Sequence, residues 1–231
     1  MKKIYSIIVS LYTFVYADIY STYEVKALKE ASLNVVTQGI VSTLNVDVGS
    51  NVTKSHLLLE LNDKEEKAAL EMAKSDYYFL RAQYQRYENS AEVFDKNTLD
   101  KLRSELEKAK STLLLNEEKV AKMKLTAPFS GVIAEKNIEV GDMTGTSGKA
   151  LFKLVSHEKK LLLAFDSRFA YDVHVGDSFC FKKDAKESPP MCVSITKIYP
   201  VIHPETKKLY AEANGADVII GTFGDGMIQT K

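Results

Sequence analysis

"KLTAPFSGVIAEKNIEVGDM" (residues 124–143) repeats a pattern that the chain has already written in "VTQGIVSTLNVDVGSNV" (residues 36–52). Gly39 and Gly49 stand ten residues apart, as do Gly131 and Gly141, and one offset of 92 carries the first pair onto the second. The same offset matches Ile40 with Val132, Val41 with Ile133, Asn45 with Asn137, Val46 with Ile138, Asp47 with Glu139 and Val48 with Val140. "LLEL" (58–61) follows one copy and "LFKL" (151–154) follows the other. Self-similarity at a fixed offset marks an internal repeat. Each copy reads as short strands of β-branched residues broken by Val-Gly-Ser or Val-Gly-Asp. Gly39, Gly49, Gly131 and Gly141 are read as turn glycines, because tight turns demand φ > 0. Pro128 sits just ahead of the second copy, outside a central ladder. Two four-strand half-motifs, neither able to bury its faces alone, are expected to pair into one small sandwich.

Between the copies the chain changes character. Residues 62–124 contain no Gly and no Pro and are rich in Ala, Leu, Glu and Lys, all helix formers. Leu70, Ala73, Tyr77, Leu80, Tyr84 and Tyr87 step by three and four, and so do Leu99, Leu102, Leu106, Ala109, Leu113, Asn116, Val120 and Met123. That is a heptad seam with a polar break at Asn116. The runs are separated by "NSAEVFDKNT" (89–98), where Asp95 or Asn97 is placed to cap the second helix. Folded back antiparallel, the runs set Tyr77 opposite Ala109 and Ala73 opposite Leu113, so that large faces small. Helix over Asp63–Ser90 reaches ~42 Å at ~1.5 Å per residue. Glu65, Glu66, Lys67, Lys74, Arg81, Glu105, Lys108 and Glu117 make the remaining surface charged. The expectation is a coiled-coil hairpin that projects from the sandwich.

From 157 to the last residue, strands and turns return. "LLLAFDS", "DSFCFKK", "MCVSITKIY" and "ADVIIGTF" alternate with Gly- and Pro-bearing turns, the pattern of a small β-barrel. Tyr23–Glu30 is expected to lend it a strand. Cys180 and Cys192 flank the turn-prone "DAKESPP", which sets them opposite one another in an antiparallel hairpin, within disulfide reach.

The 231 residues carry 45% apolar residues, and Lys+Arg 31 balances Asp+Glu 31, which leaves no basic footprint for nucleic acid. "MKKIYSIIVSLYTFVYAD" (1–18) has two lysines, a short apolar run and small residues at Val15 and Ala17, the order of an export signal cleaved after Ala17. A retained anchor is the alternative; the run is shorter than the ~20 apolar residues of a membrane span. Export to the periplasm permits a disulfide. "GDMTGTSGKAL" (141–151) fails as a phosphate loop: Met143 takes the first glycine position, Ala150 replaces the hydroxyl residue, and a strand follows. His56, His157, His174 and His203 have no metal-ligand spacing, and the two cysteines lack a C-x-x-C pair. The methionines are dispersed, which gives no soft-metal relay. No catalytic residue, cofactor site or metal site is read from the chain. Asp63-Lys64 falls where lipoyl carriers place their modified lysine, but here Lys64 enters a long helix, which removes the swinging-arm chemistry.

The half-motifs "GIVSTLNVDVGSNV…LLELND" and "KLTAPFSGVIAEKNIEVGDM", the helical hairpin between them, and "HVGDSF", "VIHPETKKLY" and "GDGM" beyond resemble the periplasmic adaptor (membrane fusion) proteins of HlyD and RND type. The resemblance implies a mainly β chain with a split lipoyl-like (barrel-sandwich hybrid) domain, an antiparallel coiled-coil hairpin and a small β-barrel. Its divisions are a signal peptide (1–17), a segment joining the barrel (18–30), half-motif 1 (31–61), the hairpin (62–124), half-motif 2 (125–156) and the barrel (157–231). It further implies a non-enzymatic adaptor of a tripartite efflux pump. The partners would be an inner-membrane transporter, of RND rather than ABC type, an outer-membrane TolC-type channel, and further copies of the chain in a ring. The family's Arg…Leu…Ser tip pattern is incomplete: Arg86 matches the arginine, the leucine position falls near Ser90 or Val93, and Asp95 stands for the serine. Arg86, Val93, Phe94 and Asp95 are the residues expected to dock on the channel. A membrane-proximal domain beyond the barrel is not expected after Lys231. A biotin- or lipoyl-type carrier subunit and an exported structural coiled-coil protein are the alternatives.

Overall fold

The computed structural model describes residues 18–89, 96–145, 149–183, 189–215 and 217–230. Strand β1 (Asp18–Ala27) is followed by β2 (Glu30–Leu33), β3 (Val41–Leu44), β4 (Asn51–Val52) and β5 (Leu57–Leu61). Helices α1 (Lys64–Glu88) and α2 (Lys96–Lys122) come next. Then follow β6 (Lys124–Thr126), β7 (Gly131–Lys136) and β8 (Phe152–Val155). The last strands are β9 (Lys159–Asp166), β10 (Ser178–Phe181), β11 (Met191–Ile198), β12 (Lys208–Asn214) and β13 (Phe223–Gln229). The chain divides into two units, residues 29–157 and the flanking segments up to Leu28 and from Glu158 onward.

In the first unit the sandwich has one sheet in the order β2-β8-β7-β4 and another in the order β3-β5-β6. Each sheet draws on both copies of the repeat. Val41, Leu58, Leu59, Leu61, Ile133, Phe152 and Leu154 fill the space between them. The backbone bonds between the copies are reciprocal. Gly49 N–H donates to Ile133 C=O at 2.8 Å, and Ile133 N–H donates to Ser50 C=O at 3.0 Å. In the matching half, Gly141 N–H donates to Val41 C=O at 2.9 Å, and Val41 N–H donates to Asp142 C=O at 2.9 Å. The β4–β7 pair Asn51↔Val132 likewise has its counterpart in the isolated bridge Ile40↔Met143. Each turn is thus bonded to the strand of the other copy, which gives the sandwich a pseudo-two-fold. Asn45 and Asn137 are used alike as well. Their side-chain amides donate to the carbonyls of Leu57 (3.3 Å) and Ala150 (3.0 Å).

Of the four repeat glycines, Gly49 (φ 84°) and Gly141 (φ 95°) are turn glycines in the left-handed region. Gly39 and Gly131 are required for close approach instead: a Cβ on Gly131 would lie 2.1 Å from the Val155 carbonyl oxygen, and one on Gly39 would lie 3.1 Å from Leu61 Cδ1. The second copy also supplies three strands rather than four, with the bridge at Met143 in place of the fourth.

In the second unit β1, β13, β10, β11, β12 and β9 close into a six-stranded barrel, in that order around the wall. Strand β1 alternates strictly, with Ile19, Ser21, Tyr23, Val25 and Ala27 buried. It pairs with β13 on one side and β9 on the other. Alternation stops at Ala27, and Glu30 already belongs to the sandwich through its pairing with Val155. The barrel segment is therefore Asp18–Ala27 rather than 18–30. Phe165, Phe179, Phe181 and Leu163 complete the barrel core.

Ala at 131 would push on backbone, whereas Ala at the repeat-equivalent 39 would meet only a side-chain end. Gly131→Ala is therefore expected to lose stability toward the upper part of the ~1–3 kcal/mol range for overpacking, and Gly39→Ala clearly less. Thermal melts of the two variants beside the parent check the order; equal melting temperatures contradict it.

Candidate functional site

The helical hairpin is the feature on which a function can be built, and its root is set by charge. Asp63 precedes α1 but makes no side-chain capping bond to it. Its carboxylate, with Asp63 only 6% exposed, instead lies 2.9 Å from Lys67 Nζ. Lys67 Nζ also donates to Glu60 Oε1 at 3.3 Å, and Lys124 Nζ lies 3.5 Å from the same oxygen. Two carboxylates and two ammonium groups from β5, α1 and β6 thus sit where the helices leave the sheet. Burial alone would raise the Asp63 pKa, but the Lys67 ammonium and a hydrogen bond with Glu60 hold it below the ordinary carboxylate value. Lys67 is correspondingly raised by Asp63 and Glu60. Acidic Glu65 and Glu66 in the first turn of α1 and Arg86 in its last turn suit the helix dipole.

Along the rod, burial follows the stripe read from the sequence. Ala73, Leu102, Leu113 and Met123 are buried, and Leu70, Tyr77, Leu80 and Leu106 are half-buried. Asn116 is buried in the stripe, and its Nδ2 donates to Thr112 C=O at 2.8 Å. That bond satisfies the amide of the polar break within its own helix. Lys74 feels Glu117, and Tyr84 feels Arg103 and Asp100, as antiparallel helices require. The outer faces are less uniformly charged than expected: Met72 (70% exposed), Tyr78, Phe79, Leu114 and Leu115 stand in solvent. Sequence periodicity missed them because they lie off the three-four stripe among charged neighbours.

Of the residues expected to dock, Arg86 is exposed in the last turn of α1. Val93, Phe94 and Asp95 lie outside the described residues, as do the signal segment 1–17 and Asp95 as a helix cap. Lys64 is the first residue of α1, not a turn tip. On the barrel Cys180 and Cys192 stand opposite each other in the β10–β11 register, with Cα atoms 4.0 Å apart, and are joined by a disulfide. One polar cluster escaped sequence reading. Glu212 accepts from Lys160 Nζ and from Tyr199 Oη, each at 2.6 Å. Burial would raise the Glu212 pKa, but these two donors outweigh it and lower it. The cluster pins the chain after β11 to the barrel wall, since Tyr199 N–H also donates to Tyr210 C=O. Among the described residues no three His, Cys, Asp or Glu side chains are grouped to hold a metal ion. Among the same residues no helix is long and apolar enough to cross a membrane.

A family model described as "RND MFP, barrel-sandwich hybrid domain" matches residues 29–157, the sandwich with its inserted hairpin. The chain belongs to this family. Its members are membrane fusion proteins, non-enzymatic periplasmic adaptors of efflux pumps attached to the inner membrane. Among solved structures, a MacA-MexA chimera that carries the Pseudomonas aeruginosa MexA α-hairpin domain superposes with a TM-score of 0.81. It is 16% identical, over 94% of this chain and 80% of that one. The membrane fusion protein Spr0693 of Streptococcus pneumoniae R6 gives a TM-score of 0.76 at 15% identity, over 92% of this chain and 99% of that one. At such identities the likeness is one of fold. A Haemophilus influenzae protein of uncharacterised function is 25% identical over 200 residues, 84% of this chain. The chain spans about half, 52%, of that relative's length.

The root cluster gives this adaptor-family domain a defined pH response. Because the Asp63 pKa is lowered on folding, its contribution is fully present above the unfolded carboxylate value of about 3.9 and is lost as pH falls through the lower folded value. Asp63→Asn should therefore melt below the parent at pH 7, with the gap closing toward pH 3. Melting curves across that range test it; a gap that stays constant with pH would assign the effect to packing instead.

Proposed function

We propose that this chain is the periplasmic adaptor of a tripartite efflux pump, bridging an inner-membrane transporter of RND type and an outer-membrane TolC-type channel. Its membership in the adaptor family and the hairpin that rises from the sandwich support the reading. The carrying observation is the hairpin itself: helices of 25 and 27 residues with one apolar stripe, closed at the root by an ion-pair cluster. A rod of this kind performs no bond chemistry; it transmits position. In this reading the seam Leu70, Tyr77, Leu80, Leu102, Leu106 and Leu113 forms an antiparallel coiled coil. Several copies form a ring whose rods line a conduit. The barrel contacts the transporter. Residues 1–17 direct export and are removed.

The far end of the rod, with Arg86, Val93, Phe94 and Asp95, is the channel contact. Arg86 offers a forked donor for backbone carbonyls or a carboxylate on a channel helix. Val93 and Phe94 add adjacent apolar side chains, and apolar groups rimmed by charge are a common docking surface. The carrier alternative is disfavoured because Lys64 is helical.

A photo-cross-linking residue at position 90, in cells that express the channel, tests the docking. The expected result is a cross-link to the channel that disappears in the double variant Arg86→Ala/Phe94→Ser while the melting temperature is unchanged. A channel cross-link that survives the double substitution would overturn the docking assignment.

A further inference from the structure

Three sulfur atoms that the sequence scatters are set in one row on the outer wall of the barrel. Cys180 on β10 is directly opposite Cys192 on β11 and directly opposite Met227 on β13. Phe179, Phe181 and Ile228, their chain neighbours, are buried, so the alternation of each strand turns the sulfur-bearing side chains outward. Met227 is 43% exposed, Cys192 is exposed and Cys180 half-exposed. Directly opposed residues on one face of an antiparallel sheet hold their Cβ atoms ~4.5–5.5 Å apart. Cys180 and Met227 also line one open cleft on this wall, together with Gln229, whose Oε1 lies 3.7 Å from Cys180 Sγ. The thioether of Met227 hangs on three rotatable bonds and can turn toward Cys180 without moving the backbone.

The geometry points to a redox-gated site for a soft monovalent metal ion, Cu(I) or Ag(I), formed by the Cys180 and Cys192 thiolates and the Met227 thioether. In the disulfide state both cysteine sulfurs are bonded to each other and the site does not exist. A dithiol reductant of the thioredoxin class opens it. Its thiolate attacks the accessible disulfide, two electrons and two protons pass to Cys180 and Cys192, and the reductant leaves as its own disulfide. Binding of the ion then releases the two thiol protons to solvent, with no change in the metal's oxidation state. Exposed Lys182 and Lys183, directly after Cys180 and Phe181, favour the thiolate. Two thiolates and one thioether form a soft donor set that selects Cu(I) over the harder divalent ions. This inference rests on the barrel register alone and stands or falls independently of the adaptor reading.

The test is competition of the full chain, oxidised and reduced, against bicinchoninate for Cu(I) under anaerobic conditions. The reduced chain should take one Cu(I) from the competitor and the oxidised chain none. Met227→Leu should weaken the reduced site by at least the ~10–100-fold that loss of a mere supporting partner costs a metal site. Retention of Cu(I) by the Cys180→Ser/Cys192→Ser variant would overturn the site, and unchanged affinity in Met227→Leu would remove the thioether from it. Circular dichroism of the reduced chain accompanies the titration. Loss of the β signal on reduction would also overturn the proposal, because the row exists only while β10, β11 and β13 are in register.

Discussion

The structure depends on the exchange of backbone bonds between two copies of one short motif. Gly49 reaches Ile133, Gly141 reaches Val41, and each of those strand residues returns a bond to the residue after the glycine that reached it. Neither copy makes these bonds within itself, so a half-motif alone would leave buried N–H and C=O groups without partners, which chains avoid. The pairing brings the ends of the inserted hairpin together. Leu61 N–H donates to Met123 C=O at 2.8 Å, and Glu60 stands opposite Lys124 in the β5–β6 ladder. A connection of about sixty residues in place of two amounts to roughly five doublings of loop length, at about 0.6 kcal/mol each, or about 3 kcal/mol in all. The insertion is thus tolerated easily, and a long rod can be carried on a small sandwich.

The root of the rod turns this tolerance into a mechanical property. A helix pair held to a sheet only by two backbone strands would be free to swing. Here Glu60 in β5, Asp63 and Lys67 at the start of α1, and Lys124 in β6 converge within 3.5 Å contacts, which ties helix and strand together by charge. The ties are short-ranged and partly open to solvent, so salt and acid loosen them. The root of the rod is thus held by these ion pairs together with the Leu61–Met123 backbone bond and the buried Met123, while the sandwich beneath it is held by packed apolar layers.

Local signals were legible in the sequence and distant ones were not. The offset of 92 disclosed the sandwich because the repeat writes its symmetry twice in the chain. The three-four stripe disclosed the hairpin, down to the polar break at Asn116, because helical periodicity is a local property. The Cys180–Cys192 bond was readable for the same reason, as the two lie on one β-hairpin. That the N-terminal segment joins the barrel was legible, but its pairing with β9 and β13, more than 130 residues away, was not, because no spacing in the chain reports such a register. The same limit hid Met227 beside Cys180 and Glu212 between Lys160 and Tyr199. The roles of Gly39 and Gly131 were misread because a glycine needed for close approach and one needed for a turn look alike until the facing backbone is known.

The most direct test of this account removes the rod and leaves the arms. Replacement of residues 62–122 by Asn-Gly would join Leu61 to Met123, which already face one another, through a two-residue hairpin turn that keeps the β5–β6 register. If the reciprocal bonds between the copies hold the domain together, the shortened protein keeps its β-sheet circular dichroism and melts cooperatively, without the helical signal. A shortened protein that shows no cooperative transition would mean that the helices hold the sandwich together, and would contradict the account at its base.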